Sequence, residues 1–268
     1  MDKNTDQNSQ PKDAAPSRVV RWCLVGLPLG LIITGVLSFV IYFHDKNNKI
    51  VPVVSQYAAM FRREFDANDF SRYQRIFNEE IGERSLDHPE NLEAASAFIE
   101  STMGYDNMGY RVMRQEFVVD GKPLINLVAE LPGKEIPNEV VIVLANYLST
   151  VSNPAGDSAA VAAMFSLAHA MTGTEQGRTI RFVAVADSDN KADFQRNGSW
   201  HLAQERIQKG ENVRKIIVLS VPPEDIAVGA AWPNANVQAL TVNPALKGED
   251  LLARLQEIRT QIELAAAK

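Results

Sequence analysis

Side chains able to do chemistry gather at four places in this chain, three of them just after an apolar run that could end a strand. Asn146-Tyr147-Leu148 follows the run from Val140 to Ala145, and Gly156-Asp157-Ser158 opens a helix of small residues. Asp187-Ser188-Asp189, with Asp193 beyond it, follows the run from Ile180 to Ala186, and Ser220 closes the run from Ile216 to Leu219. If Asp157, Asp187, Asp189 and Asp193 converge, they are of the type that holds a hard cation such as calcium or magnesium. Loop carboxylates that are simply solvated are the commoner case. Gly156-Asp157-Ser158 carries a nucleophile type, but the glycine-flanked elbow of a serine hydrolase is missing. No histidine is placed to serve it: His169 lies on the small-residue helix and His201 near another helix N-terminus, and both read as structural. Asn197-Gly198-Ser199 is a glycosylation sequon, meaningful only in a host that glycosylates secreted proteins.

These residues need elements to hold them. Val112 to Val119 reads as a strand, and an Asp120-Gly121 turn leads into a second, Leu124 to Leu131. Val140 to Ala145 is continuously apolar, as expected of a strand covered on both faces. Ile180 to Ala186 and Ile216 to Leu219 read as two further buried strands. Helices are expected over Asn91 to Met103, Ala159 to Met171, Ser199 to Lys209 and Leu251 to Leu264 from their apolar spacing. Strands alternating with helices predict a three-layer α/β/α sandwich on a mostly parallel central sheet. Between Ile50 and Ile81 a helical stripe (Val54, Tyr57, Phe61, Phe65, Tyr73, Phe77) suits burial against the same domain or, alternatively, a partner's helix.

Composition sets the outer bounds. The 268 residues carry a net charge of −6, which argues against a nucleic-acid partner, since that needs a basic surface. Trp22 to Phe43 holds no charged residue and would span roughly 33 Å as a helix, enough for one bilayer crossing. Its aromatic ends suit the two interfaces, and it ends in Val-Ile-Tyr-Phe-His rather than a small-residue cleavage site, so it reads as an uncleaved anchor in membrane lipid. Arg18 and Arg21 against Lys46 and Lys49 lean towards a cytoplasmic N-terminus, in the inner membrane with the main domain periplasmic. The only cysteine, Cys23, lies in that segment, which excludes a disulfide framework or cysteine zinc site in the main domain. The expected organisation is a disordered leader (1–21), the anchor (22–43), a helical stem (44–80) and an α/β domain (81–268).

Several stretches carry a resemblance. Ile-Gly-Glu-Arg from Ile81, Gly-Tyr-Arg-Val-Met-Arg-Gln-Glu-Phe from Gly109 and Asn-Leu-Val-Ala-Glu-Leu-Pro-Gly from Asn126 come in order. Arg-Thr-Ile-Arg-Phe-Val-Ala-Val-Ala from Arg178 and Gly-Ser-Trp-His-Leu-Ala from Gly198 follow. In this order they resemble the co-catalytic zinc aminopeptidase family, the bacterial leucine-type aminopeptidases and glutamate-carboxypeptidase-like proteins, over roughly Ile81 to Leu264. The resemblance implies two zinc ions held by His and carboxylate ligands, with a Glu activating water. It also implies that the chain lacks those groups. The first ligand strand of the family ends in His-x-Asp; here the positions hold Asn146 and Leu148. The bridging Asp falls on Gly156 or Asp157, the general base and its neighbouring ligand on Ser188 and Asp189, and the next ligand on Ser220. The last ligand is a later His, and none follows His201.

The expectation is therefore a membrane-anchored pseudoenzyme without cofactor or metal, an accessory or scaffolding subunit of a membrane complex. Asp157 and Asp189 remain the weak candidates for a metal, and the vacated cleft for a peptide. An active hydrolase with a rearranged site, and a module binding peptides or cell-wall fragments, are the alternatives. The resemblance also implies a further strand and helix beyond Leu264, so the sheet is expected to show an unpaired edge for a partner chain.

Overall fold

The computed structural model describes residues 31–39, 59–149, 154–187, 195–208, 211–220, 228 and 231–267. The chain divides into two compact units, Met1–Val53 and Val54–Lys268. In the first, residues 31–39 are helical with exposed side chains, and the rest of the Trp22–Phe43 segment lies outside the described residues. Among the described residues no helix is long and apolar enough to cross a membrane.

The second unit is built on a six-stranded sheet of order β1-β2-β4-β3-β5-β6. Its strands are β1 (Val112–Val119), β2 (Lys122–Leu131), β3 (Ile136–Asn146), β4 (Arg178–Val185), β5 (Asn212–Ser220) and β6 (Asn236–Thr241). β1 and β2 form a hairpin because Asp120 and Gly121 both take positive φ (52° and 75°), the backbone that a two-residue turn between twisted strands requires. β3 lies parallel to both β4 and β5, and β6 runs parallel to β5. The expected mostly parallel α/β sheet is therefore present, with an antiparallel hairpin on one side.

The apolar run of β3 is unbroken because both its faces are covered. Val141, Val143 and Ala145 enter the larger core, while Val140, Ile142 and Leu144 enter the smaller one on the other face. The larger core is closed by α1 (Ala67–Arg75), a π-helical turn (Ile76–Ile81), α2 (Pro89–Met103), α3 (Pro154–Met171) and α5 (Gly248–Ala266). The smaller core is closed by α4 (Gly198–Gln208) together with Trp232. Asp66 caps α1 by accepting the Asn68 N–H at 2.8 Å.

The aromatic stripe of α1 and the following turn packs inward. Tyr73 meets the Phe165 ring edge-on at 5.1 Å, and Phe77 meets Phe98 edge-on at 5.7 Å. Phe70 and Phe77 are fully buried, and truncating either to Ala would cost about 3–5 kcal/mol. One element had no expectation behind it: β6 is short, and its mixture of Asn, Gln and Thr with three apolar residues gives no clear period.

Candidate functional site

Parallel strands bring their carboxyl ends to one edge of the sheet, where α/β proteins form their crevices. Asn146 at the end of β3 stands beside Val185 of β4, and the neighbouring Ala145 pairs with Leu219 of β5. Asn146, Asp187 and Ser220 are thus brought to the same end of three adjacent strands. Ser188, Asp189 and Asp193 lie outside the described residues.

Asn146 is fully engaged by backbone. Its Oδ1 accepts the N–H groups of Leu148 (3.1 Å) and Asp187 (3.0 Å), and its Nδ2 donates to the carbonyls of Asp187 (3.0 Å) and Leu148 (3.3 Å). An amide side chain has two donor hydrogens and two acceptor lone pairs, so its capacity is spent. One side chain thereby ties the turn after β3 to the exit of β4. Leu148 is 4% exposed and belongs to the larger core, with an apolar side chain that offers no donor atom.

The rest of that turn is pinned as well. The Tyr147 N–H donates to Val185 O at 3.0 Å, and its hydroxyl donates to Ile125 O at 2.8 Å. Ser149 N–H donates to Arg84 O, while the Ser149 hydroxyl accepts the Arg84 N–H at 3.0 Å. Arg84 itself is 1% exposed. Its guanidinium donates to Tyr147 O (2.8 Å), Phe77 O (2.6 Å), Gly82 O (2.7 Å) and Ser158 Oγ (3.0 Å). Ser158 Oγ in turn donates to Asn78 Oδ1 at 2.6 Å. Burial lowers the Arg84 pKa to about 10, opposed by the negative charge of Asp157. Asp157, in the first turn of α3, thus has a permanent buried cation near it; Gly156 precedes it in the same helix. Arg84 sits in one of the recognised stretches, but nothing in its spacing marks it as buried.

The β4 exit is built differently. Asp187 is buried, and its Oδ1 accepts the Ser199 N–H at 2.8 Å in the first turn of α4. A carboxylate at a helix N-terminus meets the positive end of the macrodipole. Burial nevertheless pushes this carboxyl up to about 6, against the opposing pull of the Ser199 N–H. Ser220 at the end of β5 has a buried hydroxyl with no hydrogen-bond partner among the described residues. A second buried amide supports the region from below. Asn126 of β2 donates to Gln115 Oε1 (2.7 Å) and Gly198 O (2.8 Å) and accepts the Ala186 N–H (3.2 Å). A Cβ on Gly198 would fall 2.1 Å from Asn126 Oδ1, so only glycine fits where α4 begins.

The histidines stay out of this crevice. His169 is in the last turn of α3, whose first turn carries Asp157, and burial lowers its pKa. His201 stacks on Phe117 at 4.5 Å between ring centres. Asn197 and Ser199 of the sequon are 2% and 1% exposed, so the folded chain does not offer that asparagine to a glycan. Among the described residues no three His, Cys, Asp or Glu side chains come together to hold a metal.

No family model matches the chain, and no curated protein matches it. Solved structures do. A glutaminyl cyclase from an Acidobacteriales bacterium superposes with a TM-score of 0.53 at 12% identity, covering 76% of this chain and 96% of that one. A Zn-dependent exopeptidase from Parabacteroides distasonis superposes with a TM-score of 0.50 at 13% identity, covering 77% and 99%. A glutaminyl cyclase from Fimbriiglobus ruber is matched over 62% of its own length and 59% of this chain, at 18% identity and a TM-score of 0.45. At such identities the likeness shows the fold alone: this chain has the mixed α/β fold found in bacterial Zn-dependent exopeptidases and glutaminyl cyclases.

Proposed function

We propose that the chain is a membrane-anchored, catalytically inactive relative of the zinc exopeptidases that serves as an accessory or scaffolding subunit of a membrane complex. One observation carries the reading: all four hydrogen-bonding positions of the Asn146 amide go to backbone groups. The resemblance requires a metal ligand there, and a spent amide cannot be one. Leu148, two residues on, is apolar and core-buried where an imidazole-orienting carboxylate is needed.

Ser220 and the surroundings of Asp157 support the same reading. Ser220 offers a neutral hydroxyl, and Arg84 supplies a fixed positive charge near Asp157, which disfavours a dication beside it. These residues do not fit a zinc centre. Folds outlast their chemistry, so a pinned crevice remains usable as a rigid binding surface for a peptide or a partner subunit. The anchor at Trp22–Phe43 would place this domain at the periplasmic face of the inner membrane.

The test is gentle detergent extraction of the tagged full chain from native membranes, reading co-purifying chains and zinc content from one sample. A metal-free protein in fixed ratio with other subunits is the expected result. A chain recovered alone with one or two zinc ions, cleaving aminoacyl substrates, would overturn the proposal.

A further inference from the structure

The chain enters α1 by way of the end of α3. Residues 59–64 run there at the surface, with Met60, Arg62, Arg63 and Glu64 exposed. The last carbonyls of a helix have no partner within it. Here an arginine 110 residues upstream in sequence supplies one: Arg62 Nε donates to Thr172 O at 2.9 Å, and its Nη2 donates to Gly173 O at 3.0 Å. The Arg63 N–H donates to His169 O at 3.4 Å, and the His169 ring hydrogen-bonds the Phe61 backbone. Apolar packing on the larger core resumes at Phe65, and Asp66 then caps α1.

Positive charge is crowded around this end of α3. A helix C-terminus favours a cation, and the Arg62 guanidinium already takes that place on the terminal carbonyls. Arg63 and Arg72 both act against a proton on His169, and Asp69 acts for one. That carboxylate is committed to Arg72 at 3.1 Å. His169 is 7% exposed; burial first, then Arg63, holds its imidazole below the ordinary 6.5. On the adjoining residue Tyr110 donates its hydroxyl to Ala168 O at 2.8 Å, and burial keeps that hydroxyl protonated.

We propose that residues 59–64 form a strap, clasped to the end of α3 by Arg62 and His169, and that a proton on His169 opens it. Opening takes Arg63 and the Phe61 backbone away from the ring and admits water, so the open form binds the proton more tightly than the closed one. The closed form is therefore favoured at neutral pH and loses ground as pH falls below about 6.5, the ordinary value of the imidazole. One such group shifts the opening equilibrium by at most about tenfold at one pH unit below that value. Released, the strap lengthens the chain that leads into α1 by up to roughly 20 Å. In an anchored chain that length is the reach of the domain, which acid would extend. The clasp itself does not depend on the loss of zinc ligands.

The experiment is hydrogen exchange on the full chain in mild detergent at about pH 7.5 and about pH 5.5, corrected for the intrinsic chemical rate. It reads the Arg62 and Arg63 amides, with the amides of β3 as the internal control. In the wild type the strap amides should exchange up to about tenfold faster at the lower pH while β3 is unchanged. Arg62→Gln, at the surface, should speed them at both pH values. His169→Gln, which keeps a donor for the Phe61 backbone but cannot titrate, should remove the dependence on pH. Strap exchange indifferent to pH in the wild type, or indifferent to Arg62→Gln, would overturn the proposal. So would a His169→Gln chain that follows the wild type, or β3 amides that speed up together with the strap. None of these outcomes touches zinc content or co-purifying chains, so the scaffold reading stands or falls separately.

Discussion

The exits of β3 and of β4 with β5 lie side by side, yet their polar groups are treated in opposite ways. At the β3 exit the Asn146 amide and the Arg84 guanidinium are fully engaged: Asn146 makes four bonds, and Arg84 donates to three carbonyls and a hydroxyl. At the neighbouring exits the Asp187 carboxyl is buried with its pKa raised to about 6, and the Ser220 hydroxyl has no partner among the described residues. A buried polar network is worth having when complete and costly when partial. The first corner therefore carries stability, whereas the second stores a penalty that could be relieved. The network at the first corner occupies the position where the resemblance calls for a metal.

Substitutions should separate the two corners by sign. Arg84→Leu strands two buried carbonyls and a half-buried one and should cost about 3–5 kcal/mol, lowering the thermal midpoint by roughly 6–20 °C for a domain of this size. Next in size is Asp187→Asn. In the wild type this carboxyl binds its proton more tightly folded (about 6) than unfolded (3.8), so its contribution to stability is greatest below pH 4. It falls as pH rises and is lost by about pH 6, a swing of roughly 3 kcal/mol from this group alone. The difference between variant and wild type in urea midpoints should therefore grow in the variant's favour between pH 4 and pH 6. A flat difference would mean the carboxyl is not held neutral.

Asn146→Ala leaves two backbone N–H groups and two carbonyls without their partner and should cost about 2 kcal/mol by the same urea titration. Smallest of all, Ser220→Ala removes a hydroxyl that makes no bond and should be neutral or stabilising by up to about 1 kcal/mol. If Ser220→Ala costs as much as Asn146→Ala, the contrast between the corners is wrong.

The sequence made the sheet legible where the chemistry of burial is strong. The unbroken apolar run of β3 and the Asp120-Gly121 turn each have one structural solution, and both were found. β6 escaped because an edge strand is half solvated, so its apolar alternation is weak and Asn and Gln carry no strand signal. That Asn146, Asp187 and Ser220 each follow an apolar run was legible, and parallel strands carry such ends to one edge. What those residues do there was not. Whether an Asn side chain faces an open crevice or turns back onto its own backbone depends on a few ångströms of loop path, and no spacing encodes that. Asn126 did leave a signal that went unused: a lone amide on an otherwise apolar strand, which burial obliges to find several partners. Gly198, whose absent side chain admits that amide, is its complement in sequence.

The most direct test of the claim that the β3 exit is closed to metal is a zinc titration of the purified full chain followed by thermal melting, alongside Asn146→His. Zinc binding only to the folded chain would stabilise it by about 2.7 kcal/mol at a hundredfold excess over its dissociation constant. If internal bonds have replaced the metal, added zinc leaves the wild-type midpoint where it was, and Asn146→His loses stability that zinc does not restore. A zinc-dependent rise in the wild-type midpoint, with one or two ions retained per chain, would contradict it.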